Sequence, residues 1–248
     1  LICITFFIKN MTFLYTLIII IVIAGIAIGR YPILKMNRAT ISLAGAILLV
    51  LFGAIPFQTA CKVIDLDTII LLFAMMIVNI NLSLAGFFRL AVFQIGKVAK
   101  TPFQLLSLIV FTSGILSALF LNDTICIMFT PLILDITKSY KRNPIPYLIG
   151  LAASANIGST ATIVGNPQNM LIGISSGISF STFTMYQLPV ALLGLFVVLI
   201  IIRLMYQKEF VHSDLELSEI ITPWIYKPLL IKSCISVAVM LILFFAVF

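Results

Sequence analysis

Charge is scarce in this chain. Only 9% of its 248 residues are Asp, Glu, Lys or Arg, where a soluble domain carries about 25%. Histidine occurs once, at His212, and the four cysteines are scattered at Cys3, Cys61, Cys126 and Cys234. With no C-x-x-C pair and no Cys or His near His212, a metal site has no support. The cysteines are read as packing residues. The phosphate loop G-x-x-x-x-G-K-[ST] is missing, which argues against an ATP-driven pump. G-x-S-x-G is missing too, and no histidine stands ready to pair with a nucleophile. The chain is therefore read as neither an enzyme nor a cofactor protein.

What the chain does have is apolar length. It is 62% hydrophobic, with a mean hydropathy of +1.25. Apolar runs of about 20 residues recur, as transmembrane helices require. The expected fold is an all-α polytopic membrane protein whose main partner is the lipid bilayer. The longest hydrophilic stretch, residues 207–227, is too short to bury a core of its own. A net charge of +7 would suggest nucleic acid in a soluble protein. Here it reads as topology, and no nucleic acid is expected.

Residues 1–11 are set apart as an N-terminal extension, because Met11 opens the first spanning run. Residues 12–102 hold three apolar runs (12–29, 40–55 and 68–86) and a basic stretch suited to the membrane surface. Asn79 and Asn81, near the end of the third run, are assigned to interhelical hydrogen bonds. Residues 103–206 form the region of interest: two apolar arms spanning 103–138, an interrupted helix at 145–175, an uncharged loop, and a span at 187–206. A polar linker at 207–227 follows, and the run from 228 stops at Phe248 while still apolar. With the Arg30–Arg38 loop placed in the cytoplasm, all of the 15 Lys and Arg except Lys9 and Lys62 fall on that side, as the positive-inside rule prefers.

Two polar interruptions stand out. Asn122-Asp123-Thr124 separates the arms of the 103–138 region. The second arm, read as residues 125–137 and broken at Pro131, is short for a crossing of about 17 residues or more. That favours a re-entrant hairpin over two full spans joined by a tight turn. The other interruption, ASANIGSTATIVGNPQN from Ala153 to Asn169, packs polar residues, glycines and a proline into apolar surroundings. Such backbone at membrane depth is tolerated where it is buried in protein or lines a cavity. Broken helices expose N–H groups that favour an anion and carbonyls that favour a cation. Asp123 is the sharpest residue, since a carboxylate within a span costs about 2.5–3.5 kcal/mol on insertion scales. It is read as a ligand of a coupling ion or as a proton carrier, and alternatively as a helix cap.

LNDTICIMFTPLIL followed by GLAASANIGSTATIVGNPQNMLIG resembles the ion transporter superfamily, which includes arsenite permeases, divalent anion/sodium symporters, citrate transporters and some sodium/proton antiporters. Asn122 and Pro131 match the hairpin-tip motif of the symporters. Asp123 departs from it, toward the Asn-Asp tip of arsenite permease relatives. Gly165, Pro167 and Asn169 match the broken-helix loop. The resemblance is carried by residues 103–180 and implies an inverted repeat, each half with a re-entrant hairpin and a broken helix. On that footing the chain is the first repeat plus the first helix (228–248) of a truncated second one. It implies an ion-coupled secondary transporter of anions, of the arsenite oxyanion or di- and tricarboxylate type, with Na+ or H+ as coupling ion. The alternatives are a sodium/proton antiporter, and a non-transporting fragment or half of a split carrier. The implied ligands of ion and solute are Asn122, Asp123, Thr124, Asn156, Gly158, Ser159 and Thr160, with Gly165, Asn166, Pro167 and Asn169 shaping the broken helix. A small anion, a homodimer partner or complementing half, and a bacterial inner membrane complete the expectation.

Overall fold

A computed structural model describes residues 2–31, 36–211 and 224–247 of the chain. Helix accounts for 85% of the structure. Four of the described helices are long and apolar enough to cross a membrane. The chain is an all-α integral membrane protein. Its residues fall into two compact units, divided after Asp65.

The first unit holds α1 (Ile2–Ile28), α2 (Arg38–Leu51) and the short α3 (Phe57–Lys62). Between α1 and α2 the chain makes a two-stranded ribbon, β1 (Arg30–Tyr31) with β2 (Met36–Asn37). Nothing in the sequence pattern signalled that ribbon. Asn37 then caps α2, its side chain accepting from the Thr40 amide at 2.9 Å. Such a cap satisfies one of the orphan N–H groups of the first turn.

The second unit carries α4 (Leu66–Ala85), α5 (Phe87–Val98), α6 (Pro102–Leu119), α7 (Asn122–Ser139), α8 (Pro144–Ser159), α9 (Pro167–Ser176), α10 (Phe180–Met205) and α11 (Lys227–Val247). Its core forms where α6 and α7 both pack on α8. Leu105, Leu106, Ile125, Phe129, Ile133 and Tyr147 are wholly enclosed there. Three hydroxyl hydrogen bonds fix α6 against the α8 region. Ser113 and Ser154 share a hydrogen bond at 2.5 Å, Ser117 donates to the Ala155 carbonyl at 2.7 Å, and Thr162 donates to the Ala118 carbonyl. Hydroxyls of this kind join helices where lipid offers no hydrophobic drive for association.

Three expectations are corrected. The second arm is α7, 18 residues long rather than 13, and Pro131 lies inside it without ending it. Proline removes one helical hydrogen bond, but the enclosed Phe129 and Ile133 on either side anchor the helix across that gap. At about 1.5 Å per residue, α7 is about 27 Å long, so arm length no longer separates a re-entrant hairpin from two spans. Next, α10 begins at Phe180 and not at 187. Ser179 caps it, accepting from the Thr182 amide at 3.2 Å, so most of the expected loop is helix. Finally, Cys61 and Cys234 are exposed rather than packed.

The start of the polar linker folds back on the bundle. Tyr147 donates to Glu209 Oε1 at 3.3 Å, and Phe210 meets the rings of Tyr147 and Phe103 edge-on at 6.2 Å each. His212, Asp214, Glu216 and Glu219 lie outside the described residues, as does Phe248.

Candidate functional site

The two polar interruptions meet. Phe120 and Leu121, in extended conformations, turn the chain from α6 into α7. Leu121 offers no side-chain cap, so α7 opens on Asn122, whose Oδ1 accepts from the Asp123 amide at 2.9 Å. Asn122 Nδ2 donates to Asn156 Oδ1 at 3.0 Å, and Asn156 Nδ2 donates to the Ala152 carbonyl at 2.9 Å. A polar chain thus runs from the tip of α7 into α8. Asn156 and Asp123 are exposed, and Asn122, Thr124 and Thr160 are half-buried. This surface combines carboxamides, hydroxyls, one carboxylate and the open N-terminus of a helix.

The break that follows α8 is built by asparagine. Chain between α8 and α9 makes a turn and a single 3-10 stretch, Ile163–Gly165. Asn166 caps α9, accepting from the Asn169 amide at 2.8 Å, with Pro167 at the first helical position. Proline suits that position because its missing N–H is not needed there. The Asn166 and Asn169 side chains then reach back across the gap. Asn169 Nδ2 donates to the carbonyls of Ser159, Thr160 and Thr162 at 3.2, 3.4 and 2.9 Å. Asn166 Nδ2 donates to Ser159 Oγ at 3.2 Å. The carbonyls that α8 leaves unpaired are therefore met from within the loop. This matters for chemistry, because those carbonyls already carry a donor and are less available to a cation.

The sequence-predicted residues separate accordingly. Asn122, Asp123, Thr124, Asn156 and Thr160 stand at accessible positions, and of these side chains Asn122 and Asn156 are bonded to each other. Ser159, Gly165 and Asn166 are buried in the loop itself. Gly158 lies where α8 crosses α6: a Cβ there would stand 2.1 Å from the Gly114 carbonyl oxygen. At Gly165 a Cβ would stand 2.2 Å from the Ser159 carbonyl oxygen. Both positions need glycine for the close approach of backbone.

A cavity of about 210 Å³ lies beside the break, lined by Gly114, Ala118, Gly158, Thr162, Thr184 and Leu188 among others. Its accessible lining is wholly apolar. Of the predicted ligands only Gly158 borders it, so this cavity is not where the polar groups converge.

Sequence reasoning underrated one residue. Asn79, on α4, is 1% exposed and donates from Nδ2 to Thr124 Oγ1 at 3.4 Å. That is an interhelical bond, as expected of it, but it ends on the tip of α7. The available signal was its place on a buried stripe, Met75, Asn79 and Leu82, at helical spacing. Asn81 instead bonds to the Ile77 carbonyl of its own helix at 2.8 Å.

Residues 15–248 match the citrate transporter family CitMHS. The chain is 37% identical over 182 residues to the silicon efflux transporter LSI3 of Oryza sativa, covering 72% of this chain and 37% of that protein. It is 33% identical over 188 residues to a Dictyostelium discoideum protein bearing the transporter name arsB, covering 76% of this chain and 33% of that one. The P protein of Homo sapiens is 29% identical over 187 residues, covering 73% and 22%. The chain spans about a third or less of the length of these relatives. The family and the rice and Dictyostelium relatives are transporters, not enzymes. This chain belongs to the citrate transporter family within the ion transporter superfamily.

Proposed function

We propose that this chain contributes one wall of the solute site in an ion-coupled secondary transporter of anions. The observation that carries the reading is the 3.0 Å bond between Asn122 and Asn156, which makes one accessible surface of the α7 tip and the end of α8. The α7 N-terminus presents N–H dipoles that attract an anion. Asp123, in the same turn, repels it. Two like charges about 4 Å apart cost about 1 kcal/mol in water and about 4 kcal/mol at an effective dielectric of 20. A Na+ or a proton on Asp123 removes that repulsion. Ion binding then favours anion binding, and by linkage the converse holds. The substrate class is an oxyanion of the arsenite or silicate kind or a di- or tricarboxylate, in keeping with the names of the relatives and the family.

The re-entrant form of α6–α7, the inverted repeat and a homodimer or complementing half belong to the same proposal. So does the bacterial inner membrane; relatives from rice, slime mould and human do not select it. The test is uptake into proteoliposomes, screening arsenite, silicate, citrate, succinate and sulfate under imposed Na+ and pH gradients. The reading expects one of these anions to accumulate when a gradient is present. Cation-driven proton flux with no anion movement would instead make the protein a sodium/proton antiporter.

A further inference from the structure

The end of the second unit opposite the α7 tip is strongly cationic. Tyr140 donates to the Gly96 carbonyl at 2.7 Å, which joins the end of α7 to the end of α5. Short connections, residues 99–101 and 140–143, lead from these ends into α6 and α8. The end of α10 lies on the same side, where the Arg203 guanidinium stands 4.5 Å from the centroid of the Phe103 ring in the first turn of α6. Lys97, Lys100, Lys138, Lys141, Arg203 and Lys208 are all exposed here. Against them stand Asp135, which is exposed, and Glu209, which is half-buried and accepts from Tyr147. Lys141 is held in an unusual way. The Arg142 amide donates to the Thr137 carbonyl at 2.8 Å and the Lys141 amide to the Lys138 carbonyl at 3.0 Å, the paired bonds of a Schellman motif. That motif needs left-handed backbone at a position usually taken by glycine. Lys141 takes it, at φ 53°, the only residue other than glycine with positive φ among the described residues.

We propose that this end is a docking surface for the headgroups of anionic phospholipids, with Lys141 as a cation presented from a fixed turn. The inference does not depend on which solute the protein moves. Helices α6 and α10 are long and apolar enough to cross a membrane, so their ends stand at headgroup depth. Clusters of four to eight Lys and Arg beside a spanning helix attract anionic lipid. The positive-inside rule concerns insertion and is met by these cations anywhere in their loops. The fold goes further, because the Tyr140 bond and the Phe103 ring gather cations from α5, α7 and α10 at one end. Rings also support the stems. Lys97 Nζ lies 4.9 Å from the centroid of the Phe93 ring, and Arg203 lies over Phe103. Long basic side chains laid on apolar surface keep their charged heads free for a polar partner. Six exposed cations facing one exposed carboxylate complement a layer of phosphates.

The test reads the thermal unfolding midpoint of the purified full chain in detergent micelles doped with phosphatidylglycerol or, for comparison, phosphatidylcholine. Wild type is expected to gain stability at a lower mole fraction of phosphatidylglycerol than of phosphatidylcholine. That advantage should vanish in about 1 M NaCl, where the screening length falls to about 3 Å. Lys141→Gly is expected to raise the half-saturating fraction of phosphatidylglycerol about fivefold, the worth of one cation at an anionic surface. Its midpoint without added lipid should stay at or above wild type, because glycine suits left-handed backbone. Lys141→Arg keeps the charge and should keep the response. The triple variant Lys97→Gln, Lys100→Gln, Lys141→Gly should respond to the two lipids alike. Lys62→Gln, in the first unit, is the control and should respond as wild type does. Equal responses of wild type to the two lipids overturn the inference, as does a wild-type response in Lys141→Gly or in the triple variant. The same loss in Lys62→Gln overturns it too. So does an equal rise with inorganic phosphate alone at matched ionic strength, which would make the ligand a free anion and not a lipid.

Discussion

Asp123 sits in the first turn of α7 on an exposed position, beside Asn122 and Thr124. Its charge is the one feature of the tip that changes when an ion or proton binds. Replacement by Asn keeps size and removes that charge. Asp123→Asn is predicted to abolish the dependence of anion uptake on an ion gradient, while membrane insertion and unfolding temperature stay near wild type. Gradient-driven uptake at the normal rate in that variant would remove Asp123 from coupling. Asp123 drew notice in the sequence because a carboxylate between apolar arms is costly. Asn79 drew less, because one asparagine in a long apolar helix is explained well enough by a single hydrogen bond. Only its depth, and the tip residue it meets, set it apart.

The break between α8 and α9 was legible from composition, since glycines, a proline and a run of small polar residues rarely continue a helix. How the break is stabilised was not, because it depends on which carbonyls each asparagine reaches. Asn169 Nδ2 serves three of them. Asn169→Ala is predicted to destabilise the protein by about 1–3 kcal/mol, since it strands partly buried carbonyls. A lowered unfolding midpoint in detergent checks this, and an unchanged midpoint would show that the loop holds itself by other means. Gly158→Val is predicted to force α8 off α6, because a Cβ would meet the Gly114 backbone and overpacking costs about 1–3 kcal/mol or more. A shift from monodisperse to aggregated protein on size-exclusion chromatography is the expected result. Two element boundaries lie earlier than composition suggests, because the polar Asn122–Thr124 and the Ser/Thr-rich start of α10 look like turns in sequence. Asn122 Oδ1 accepting from the Asp123 amide at the first, and capping by Ser179 before the second, let helix begin there.

Over the molecule as a whole, the all-α membrane class followed from apolar run length and low charge, because those features need no knowledge of packing. The mutual placement of α4, α7 and α8 needed the structure, since it depends on contacts between residues 34–45 positions apart. The account's central claim is that the α7 tip and the α8 end act as one binding surface through Asn122 and Asn156. The most direct measurement is the initial rate of gradient-driven anion uptake in proteoliposomes for Asn122→Ala, Asn156→Ala and the double variant. The account predicts that each single change slows uptake by about fivefold to thirtyfold, the worth of one or two kcal/mol. The double variant should be no slower than the worse single, because both changes break the same bond and their effects do not add. Uptake at wild-type rates in both single variants would contradict it.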